Sequence, residues 1–323
     1  MMKPKENLLR VIRHDRPEHV PCADEGTFRE VRFAAIEWPE EPGTDVWGTS
    51  WEKGNSAVDI YPYPVTHPLE SLEKLDDFPF PDFSQAPLSE DSKRHLADPE
   101  RAERILVGLC GETIFERSWM LRGMDNFMVD LLESPELAGR LVRKVSSVRK
   151  TQVRRLIEAG VDMMLFCDDW GGQTNMLISP EIWRRFIKPE IAELYRMCRE
   201  AGVLIKQHSC GSIEAILGDL VEIGADIWDP CQPTSNDLAG LKKKYGDRIT
   251  FWGAINSYIL DRGTPDEVRA EVRLRIAQLA EGGGYIATPS HIVPFKKENI
   301  EAMKDEIARV GQYGSPAFKR LFQ

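Results

Sequence analysis

The sequence lacks three features that would place the protein in a membrane or on a nucleic acid. It has no run of about 18 apolar residues that could cross a bilayer. Its first twenty residues lack the apolar stretch and cleavage site of a secretory signal. Its 42 basic residues are outnumbered by 52 acidic ones, and the formal net charge of −10 disfavours a polyanionic partner. We therefore expect a cytoplasmic protein that acts on a small molecule, with no membrane or nucleic-acid partner.

Several common catalytic signatures are also missing. The chain contains no GxSxG, HExxH, Walker or Rossmann motif, which removes the commonest hydrolase, metalloprotease, nucleotide and dinucleotide assignments. The glycines at 282–284 precede a strand-like segment and do not join a strand to a helix, so they indicate a helix stop. Six cysteines are present without a CxxC pair, and most lie in apolar surroundings that are typical of buried reduced thiols.

What the sequence does contain is an alternation of short β-rich runs and long segments with helical periodicity. Eight runs qualify as strands, at 19–24, 44–51, 104–110, 161–167, 203–208, 225–230, 249–255 and 284–290. The segments between them carry helix-start signals, such as the capping box of Thr264 and Glu267. The right-handed crossover rule allows an open sheet or a closed barrel. Eight strands favour closure, and the predicted fold is an α/β (β/α)8 TIM barrel.

A stretch rich in proline, aromatic and acidic residues interrupts this rhythm. Residues 53–100, which include YPYPVTHPLE and DDFPFPDF, are expected to form an insertion after strand two that covers the barrel mouth or its rim as a lid. No internal repeat or interdomain linker is evident. Because α/β barrels reach this length as one domain, residues 1–323 are expected to form a single domain that includes the insertion.

Polar side chains follow nearly every apolar strand, where a TIM barrel places its catalytic groups. In chain order they are Asp24 and Glu25, Glu112, Asp168 and Asp169, His208 and Cys210, Asp229, Asn256, and Ser290 and His291. A carboxylate at a strand end is often only a helix cap, so none of these residues is diagnostic alone. Their convergence at one barrel mouth predicts an active site there.

The most specific element is KQHSCGS, in which His208 and Cys210 are separated by one residue directly after a strand. Positions i and i+2 of an extended chain point the same way, so the imidazole and the thiol can converge on one ion. A catalytic zinc needs three protein ligands and an open position, and His291 after strand eight is the candidate third ligand. The alternative is a packed thiol beside a hydrogen-bonded histidine.

The segment FCDDWGGQ places two adjacent carboxylates at another strand end. Neighbouring side chains of a strand point to opposite sides, so one of Asp168 and Asp169 is expected in the mouth while the other bonds to backbone or caps the next turn. Asp169 is favoured for the mouth. Gly171 and Gly172 permit a tight turn that brings backbone close to a ligand.

Five segments occur in a characteristic order: FCDDWGGQTNMLISPEIWRRFIKP, KQHSCGSI, DIWDPCQP, FWGAIN and GGYIATPSHIVPFKKENI. In sequence and spacing they resemble the uroporphyrinogen decarboxylase superfamily, which also contains cobamide-dependent methyltransferases. The resemblance covers nearly the whole chain. It implies a (β/α)8 barrel with its active site at the C-terminal face of the strands.

The two branches of this superfamily differ at residues that can be compared. True decarboxylases carry an arginine-rich segment near the N-terminus for the carboxylates of the tetrapyrrole, whereas the corresponding PCADEGTFREVRF offers only Arg29 and Arg32. The methyltransferase branch has a His-x-Cys after strand five, which His208 and Cys210 match, and a Cys after strand eight, where this chain has His291. The resemblance therefore implies a methyltransferase with an altered zinc ligand set.

The leading hypothesis is a methyltransferase that moves a methyl group between a small O- or N-methyl substrate and the cobalt of a corrinoid. Because no DxHxxG corrinoid signature is present, the corrinoid is expected on a separate partner protein. The candidate zinc ligands are His208, Cys210 and His291. The candidate catalytic residues are Asp169, Glu112 and His291, and the candidate substrate-binding residues are Asp168, Gln173, Asp229 and Asn256. Asp229 and Glu112 are also the candidates to orient the imidazoles.

Two other classes of function stay open at this point. One is a metal-free decarboxylase or lyase of a small carboxylic acid, with His291 as general acid. The other is a binding module that uses the barrel mouth as a ligand trap. Zinc analysis separates the first from the leading hypothesis, and absence of turnover with tight ligand binding would favour the second. A homodimer is compatible with the apolar helices.

Overall fold

The computed structural model describes residues 2–22, 26–54 and 62–323. The strands within these ranges are β1 Phe28–Val31, β2 Gly43–Thr44, β3 Ser50–Lys53, β4 Pro62–Pro64, β5 Ile105–Glu112, β6 Met163–Cys167, β7 Leu204–His208, β8 Ile227–Cys231, β9 Thr250–Ile255 and β10 Tyr285–Pro289. The helices are α1 Pro4–Ile12, α2 Glu90–Ala97, α3 Phe115–Arg122, α4 Met124–Glu133, α5 Pro135–Ala159, α6 Pro180–Ile182, α7 Lys188–Glu200, α8 Glu214–Ile223, α9 Leu238–Tyr245, α10 Ser257–Arg262, α11 Pro265–Leu279, α12 Lys297–Val310 and α13 Pro316–Lys319.

Seven strands form one parallel sheet in the order β1-β5-β6-β7-β8-β9-β10. Cys22 forms an isolated parallel bridge with Ala287 of β10, and shortly afterwards the chain enters β1 at the opposite edge of the sheet. Such a short connection spans at most about 20 Å, so the two edges lie near each other. The sheet curls accordingly into an α/β architecture of the TIM-barrel type, as predicted.

The strand predictions are confirmed most fully in the second half of the chain. The runs predicted at 161–167, 203–208, 225–230, 249–255 and 284–290 correspond to β6, β7, β8, β9 and β10, and the run at 104–110 corresponds to β5. The capping box of Thr264 and Glu267 is present at the start of α11. The run predicted at 19–24 contributes the bridge at Cys22, whereas Asp24 and Glu25 lie outside the described residues.

The strand predicted at 44–51 does not belong to the barrel. Its residues fall in β2 and β3, which join β4 in a separate three-stranded antiparallel sheet. Instead, β1 takes the place beside β5. The alternating pattern of TDVWGTSW predicts a strand correctly, but a period of two residues carries no information about which sheet that strand joins.

Residues 62–100, most of the predicted insertion, run beside the barrel. The Leu69 N–H donates to the Leu121 carbonyl in α3, and the Arg155 guanidinium of α5 donates to the Phe83 carbonyl. The Arg32 N–H, next to β1, donates to Ser92 Oγ in α2. A lid role for 53–100 and the single domain over 1–323 stay predictions, and residues 55–61 lie outside the described residues.

The N-terminal helix closes one end of the barrel. Leu8, Val11 and Ile12 of α1 are buried against interior side chains near the strand starts, such as Ile105 and Met163. This packing leaves the C-terminal strand ends to form the functional face. None of the helices in the described ranges combines the length and apolar character that a membrane span requires.

Candidate active site

A cavity of about 730 Å³ opens at the C-terminal ends of the barrel strands. Its polar side chains are Asp169, Lys206, His208, Cys210, Asp229, Thr288, His291 and Lys304, and its larger apolar side chains are Trp38, Trp252, Ile292, Phe295, Ile300 and Met303. Trp38 and Ile292 are exposed, so the cavity opens to solvent. Its volume and mainly apolar walls suit a small organic ligand.

Three side chains with metal-ligating atoms meet on one wall of this cavity. Asp169, His208 and Cys210 each offer one ligand atom, and these atoms lie within 4.8 Å of one another. His208 Nε2 is 3.7 Å from Cys210 Sγ and 3.7 Å from Asp169 Oδ1. His208 ends β7, and Asp169 follows the neighbouring strand β6. Adjacent parallel strands therefore bring the three groups together.

Two glycines allow the loops after β6 and β7 to pack backbone against backbone. A Cβ atom on Gly171 would collide with the backbone of residues 210–212, and one on Gly211, whose φ is +76°, would collide with residues 171 and 172. The Cys210 N–H donates to Asp169 Oδ1 at 2.7 Å across this contact. The close approach fixes Cys210 beside Asp169, a role that only glycine at these two positions permits.

His208 is held from behind by Asp229. The His208 Nδ1 to Asp229 Oδ2 distance is 3.0 Å, and Lys206 Nζ lies 3.2 Å from the same oxygen. Although burial opposes ionisation, the charges of Lys206 and His208 hold the pKa of Asp229 below its usual range. Because the carboxylate accepts the Nδ1 hydrogen, a neutral His208 directs its Nε2 lone pair towards Cys210 and Asp169.

In the free protein, the His208 imidazole and the Cys210 thiol both hold a proton more firmly than these side chains usually do. Burial opposes the charged form of His208, but the hydrogen bonds with Asp229 and Cys210 outweigh it, so the pKa of His208 lies well above its usual range. Burial raises the pKa of the Cys210 thiol, against the opposing hydrogen bond with His208. A cation entering this cluster would release these protons, since imidazole nitrogen and thiolate sulfur bind metals in their deprotonated forms.

The donor set fits a zinc ion. Imidazole nitrogen, thiolate sulfur and carboxylate oxygen are all zinc ligands, and three protein ligands leave the open position of a catalytic site. The Nδ1 to carboxylate hydrogen bond of His208 is the usual support of a zinc-bound histidine. The cluster therefore has both the ligands and the supporting carboxylate that zinc binding needs.

His291 lies apart from this cluster. It lines the cavity with an exposed side chain, and its backbone N–H and carbonyl are hydrogen-bonded to the Ser257 hydroxyl. The structure groups Asp169, and not the predicted His291, with His208 and Cys210. His291 is predicted only because it follows strand eight. After β10 ends at Pro289, the position of its backbone is set by the two hydrogen bonds with the Ser257 hydroxyl.

Glu112 and Asp168 do not line the cavity. Glu112 is buried and its carboxylate accepts from Arg117 at 2.8 Å. Asp168 is fully buried and accepts from the backbone N–H groups of residues 114–116, which caps α3. Burial raises the pKa of Asp168 to about 7 against these hydrogen bonds. The pair Asp168 and Asp169 thus divides as the strand alternation predicts: Asp169 lines the cavity, and Asp168 caps α3.

Of the other three candidate substrate-binding residues, Asp229 lines the cavity, whereas Gln173 and Asn256 lie outside its lining. Gln173 is exposed and donates to the Thr234 carbonyl at 3.3 Å. Asn256 caps α10, since its side chain accepts from the Tyr258 N–H. Asn256 directly follows β9 and Gln173 lies in the loop after β6, and the side chains of both residues are hydrogen-bonded to backbone groups.

Sequence reasoning missed several cavity residues, among them Lys206, Trp252 and Trp38. Lys206 could have been found, because it precedes His208 by two residues in β7 and therefore shares its face of the strand. Lys206 Nζ lies 3.6 Å from the centroid of the Trp252 ring. Trp38 comes from the segment between β1 and β2, and no local pattern indicates that this segment reaches the barrel mouth.

A second charged group, which we call the buried arginine network, consists of Glu37, Asp45, Glu112, Arg117 and Arg149. Arg117 pairs with Asp45 at 2.6 Å and with Glu112 at 2.8 Å, and Arg149 pairs with Glu37 at 2.5 Å. The guanidinium groups lie 5.1 and 4.9 Å from the centroid of the Trp47 ring. Both arginine side chains have no solvent exposure, so neither can meet a substrate carboxylate.

Comparison with known proteins shows the family of the chain. Residues 55–310 match the family model for uroporphyrinogen decarboxylase (URO-D), and the chain belongs to this family. A uroporphyrinogen decarboxylase of Chlorobium phaeobacteroides is 27% identical over 211 residues, which are 61% of this chain and 55% of that protein. The methylcobamide:CoM methyltransferase MtaA of Methanosarcina barkeri is 30% identical over 151 residues, which are 46% of this chain and 42% of that protein.

A solved structure supports the fold. A methyltransferase from Methanosarcina mazei superimposes with a TM-score of 0.68 and 17% identity, and the alignment covers 96% of this chain and 99% of that one. At this identity the match shows the barrel fold alone. The family contains enzymes of two kinds, decarboxylases and methyltransferases, and the choice between them rests on the site.

Proposed function

We propose that this protein is a methyltransferase that moves a methyl group between a small methylated substrate and the cobalt of a corrinoid carried by a separate protein. The observation that supports this most strongly is the cluster of Asp169, His208 and Cys210 beside an apolar cavity open to solvent. The partial match to a methylcobamide methyltransferase agrees with it. We refer to these three residues together with Asp229 as the cavity cluster.

In this proposal Asp169, His208 and Cys210 hold a zinc ion, with Asp229 fixing the orientation of His208. When bound, zinc supplies Lewis acidity that makes a heteroatom at its open position a better leaving group or a better nucleophile. The chain's own part is to present the three ligands together and to keep His208 in the tautomer whose Nε2 is available.

The remaining cavity residues position the substrate. The side chains of Trp252, Phe295 and Met303 supply an apolar wall that excludes water from the body of the ligand. His291 lines the same cavity and is the candidate to exchange a proton with the leaving atom. The opening beside Trp38 and Ile292 leaves a path by which the cobalt of a docked partner can reach the methyl group.

The charges of the cavity argue against a porphyrinogen substrate. Among the described residues no arginine lines the cavity, and its lysines are Lys206 and Lys304. A tetrapyrrole with eight carboxylates would need more cations than these. The decarboxylase alternative keeps support from the relatives that carry that name, in the form of a metal-free reaction on a smaller carboxylic acid with His291 as general acid.

Methyl transfer to free cobalamin tests the proposal. Zinc-loaded protein is mixed with cob(I)alamin and a panel of O- and N-methyl compounds, and the absorbance change from cob(I)alamin to methylcob(III)alamin is followed. The proposal expects this change with at least one donor and its loss after zinc removal. Protein that contains no zinc, forms no methylcobalamin and releases carbon dioxide from a small carboxylic acid would contradict it and support the decarboxylase.

A further inference from the structure

The floor of the cavity contains a cation that belongs to the protein itself. Lys206 Nζ lies 3.6 Å from the centroid of the Trp252 ring and 3.2 Å from Asp229 Oδ2. The Lys206 side chain is only 12% exposed. Its ammonium group is therefore held between an aromatic face and a carboxylate, the two kinds of group that bind cationic ligands in proteins.

The position of Lys206 affects which charge a ligand of this cavity can carry. Pockets for quaternary or methylated ammonium compounds use an aromatic face and a nearby carboxylate to hold the positive charge. Here Lys206 already lies over Trp252 and is paired with Asp229. A cationic ligand at this wall would have to displace the ammonium group or lie next to a like charge.

The second carboxylate of the cavity does not restore a cation site. Asp169 Oδ1 accepts the Cys210 N–H and lies 3.7 Å from His208 Nε2. In the proposed function it is a zinc ligand, so its charge is used there.

We propose that Lys206 selects the charge of the methylated substrate: the cavity takes a neutral or anionic methyl ether with an aromatic or apolar body and rejects cationic N-methyl compounds. This inference rests on the proposed methyl transfer and narrows its substrate to the O-methyl class. Trp38 and Phe295 line the same cavity and would pack against an aromatic body. The ammonium group of Lys206 has three N–H donors, and those not directed at Asp229 would serve a carboxylate carried by that body.

Two probes of similar size and opposite charge test the selection by binding alone. Isothermal titration calorimetry measures the dissociation constants of 4-methoxybenzoate and phenyltrimethylammonium for the zinc-loaded protein. We expect the anion to bind about tenfold more tightly than the cation, the factor that one cation–π or charge contact of moderate strength supplies. Equal or tighter binding of the cation to the unmodified protein would overturn the inference, whatever any variant does.

Three variants assign the effect to its residue. Lys206→Met keeps the length of the side chain, removes the charge and uncovers Trp252 and Asp229. The ratio of the two dissociation constants should therefore shift by about tenfold in favour of the cation. Lys206→Arg should keep the preference for the anion. Lys304→Met removes a charge from the same cavity lining and should leave the ratio unchanged. A folded Lys206→Met protein with an unchanged ratio, or an equal shift in Lys304→Met, would refute the role of Lys206.

The cobalamin assay separates this inference from the proposed function. Methyl transfer from phenyltrimethylammonium in preference to 4-methoxybenzoate would keep the methyltransferase and overturn the charge selection. Anion-selective binding that depends on Lys206, with no methyl transfer from any compound, would keep the charge selection and contradict the methyltransferase.

Discussion

Two groups of charged side chains lie near the strand ends, and they differ in what surrounds them. The cavity cluster borders open space, and the ligand atoms of Asp169, His208 and Cys210 lie within 4.8 Å of one another on one wall of it. In the buried arginine network, carboxylates and guanidinium groups are paired directly, with Arg117 and Arg149 fully enclosed. Charge at a strand end therefore indicates a functional site only where its groups remain available to a ligand.

The largest expected effect concerns the cavity cluster. Cys210→Ser replaces the thiolate by a hydroxyl, a poor zinc ligand, so bound zinc should fall from about one equivalent per chain to near zero and activity should be lost with it. Metal analysis after gel filtration measures the loss. Cys198→Ala is the matched control, because Cys198 is a buried thiol in α7 away from the cavity. Cys210→Ser protein that retains its zinc would contradict the assignment.

The network should respond to substitution with a loss of stability and no loss of metal. Arg117→Met leaves Asp45 and Glu112 buried without their partner, and breaking such a pair costs about 3 to 5 kcal/mol in the free energy of unfolding. Urea denaturation measures this cost. The folded fraction should still bind zinc. A variant of unchanged stability that loses zinc would show that the two groups are not separate.

The support behind His208 should have an intermediate effect. Asp229→Asn keeps a hydrogen-bond acceptor for Nδ1 but removes the charge, so zinc affinity should fall about 10- to 100-fold, as for other supporting carboxylates of zinc sites. Competition with a chelator gives the dissociation constant. Asp219→Asn is the control, because Asp219 pairs with Arg184 and Lys188 outside the cavity. Equal losses in both variants would point to a general charge effect.

The smallest expected effect is a pH dependence of stability that originates in the network. Burial opposes ionisation of Glu37, but the Arg149 and Arg117 guanidinium groups outweigh it and hold the pKa of Glu37 below its ordinary value of 4.5. Its contribution to stability is therefore complete above that value and is lost as the pH falls through the lower folded-state pKa. Urea unfolding below about pH 5 should show a shallower pH dependence for Glu37→Gln than for the unmodified protein. Parallel curves would refute this origin.

The sequence predicted the parts of the site that depend on strand alternation. His208 and Cys210 converge because they are two residues apart after β7, and Asp169 separates from Asp168 for the same reason. Lys206 precedes His208 by two residues in β7, so the same alternation also places Lys206 on the cavity side of the strand. The predicted strands that became β6, β9 and β10 are mainly apolar and buried, as a parallel sheet covered on both faces requires, whereas the last three residues of β7 are polar.

The positions of the other site residues depend on contacts between distant parts of the chain, which the sequence pattern does not show. The pairing of β5 with β6 shifts its register between Cys110 and Glu112, and such a bulge changes the side to which a strand-end residue points without any signal in the sequence. His291 follows a strand that has already ended and is held by Ser257. Trp38 reaches the cavity from the segment between β1 and β2, whose position is set by the buried arginine network.

An anomalous difference map at the zinc absorption edge, from crystals of zinc-saturated protein, tests the central claim most directly. The account predicts one strong peak in the cavity, about 2.0 Å from His208 Nε2 and an Asp169 oxygen and about 2.3 Å from Cys210 Sγ. Crystals that show no peak between these three side chains at saturating zinc would contradict it.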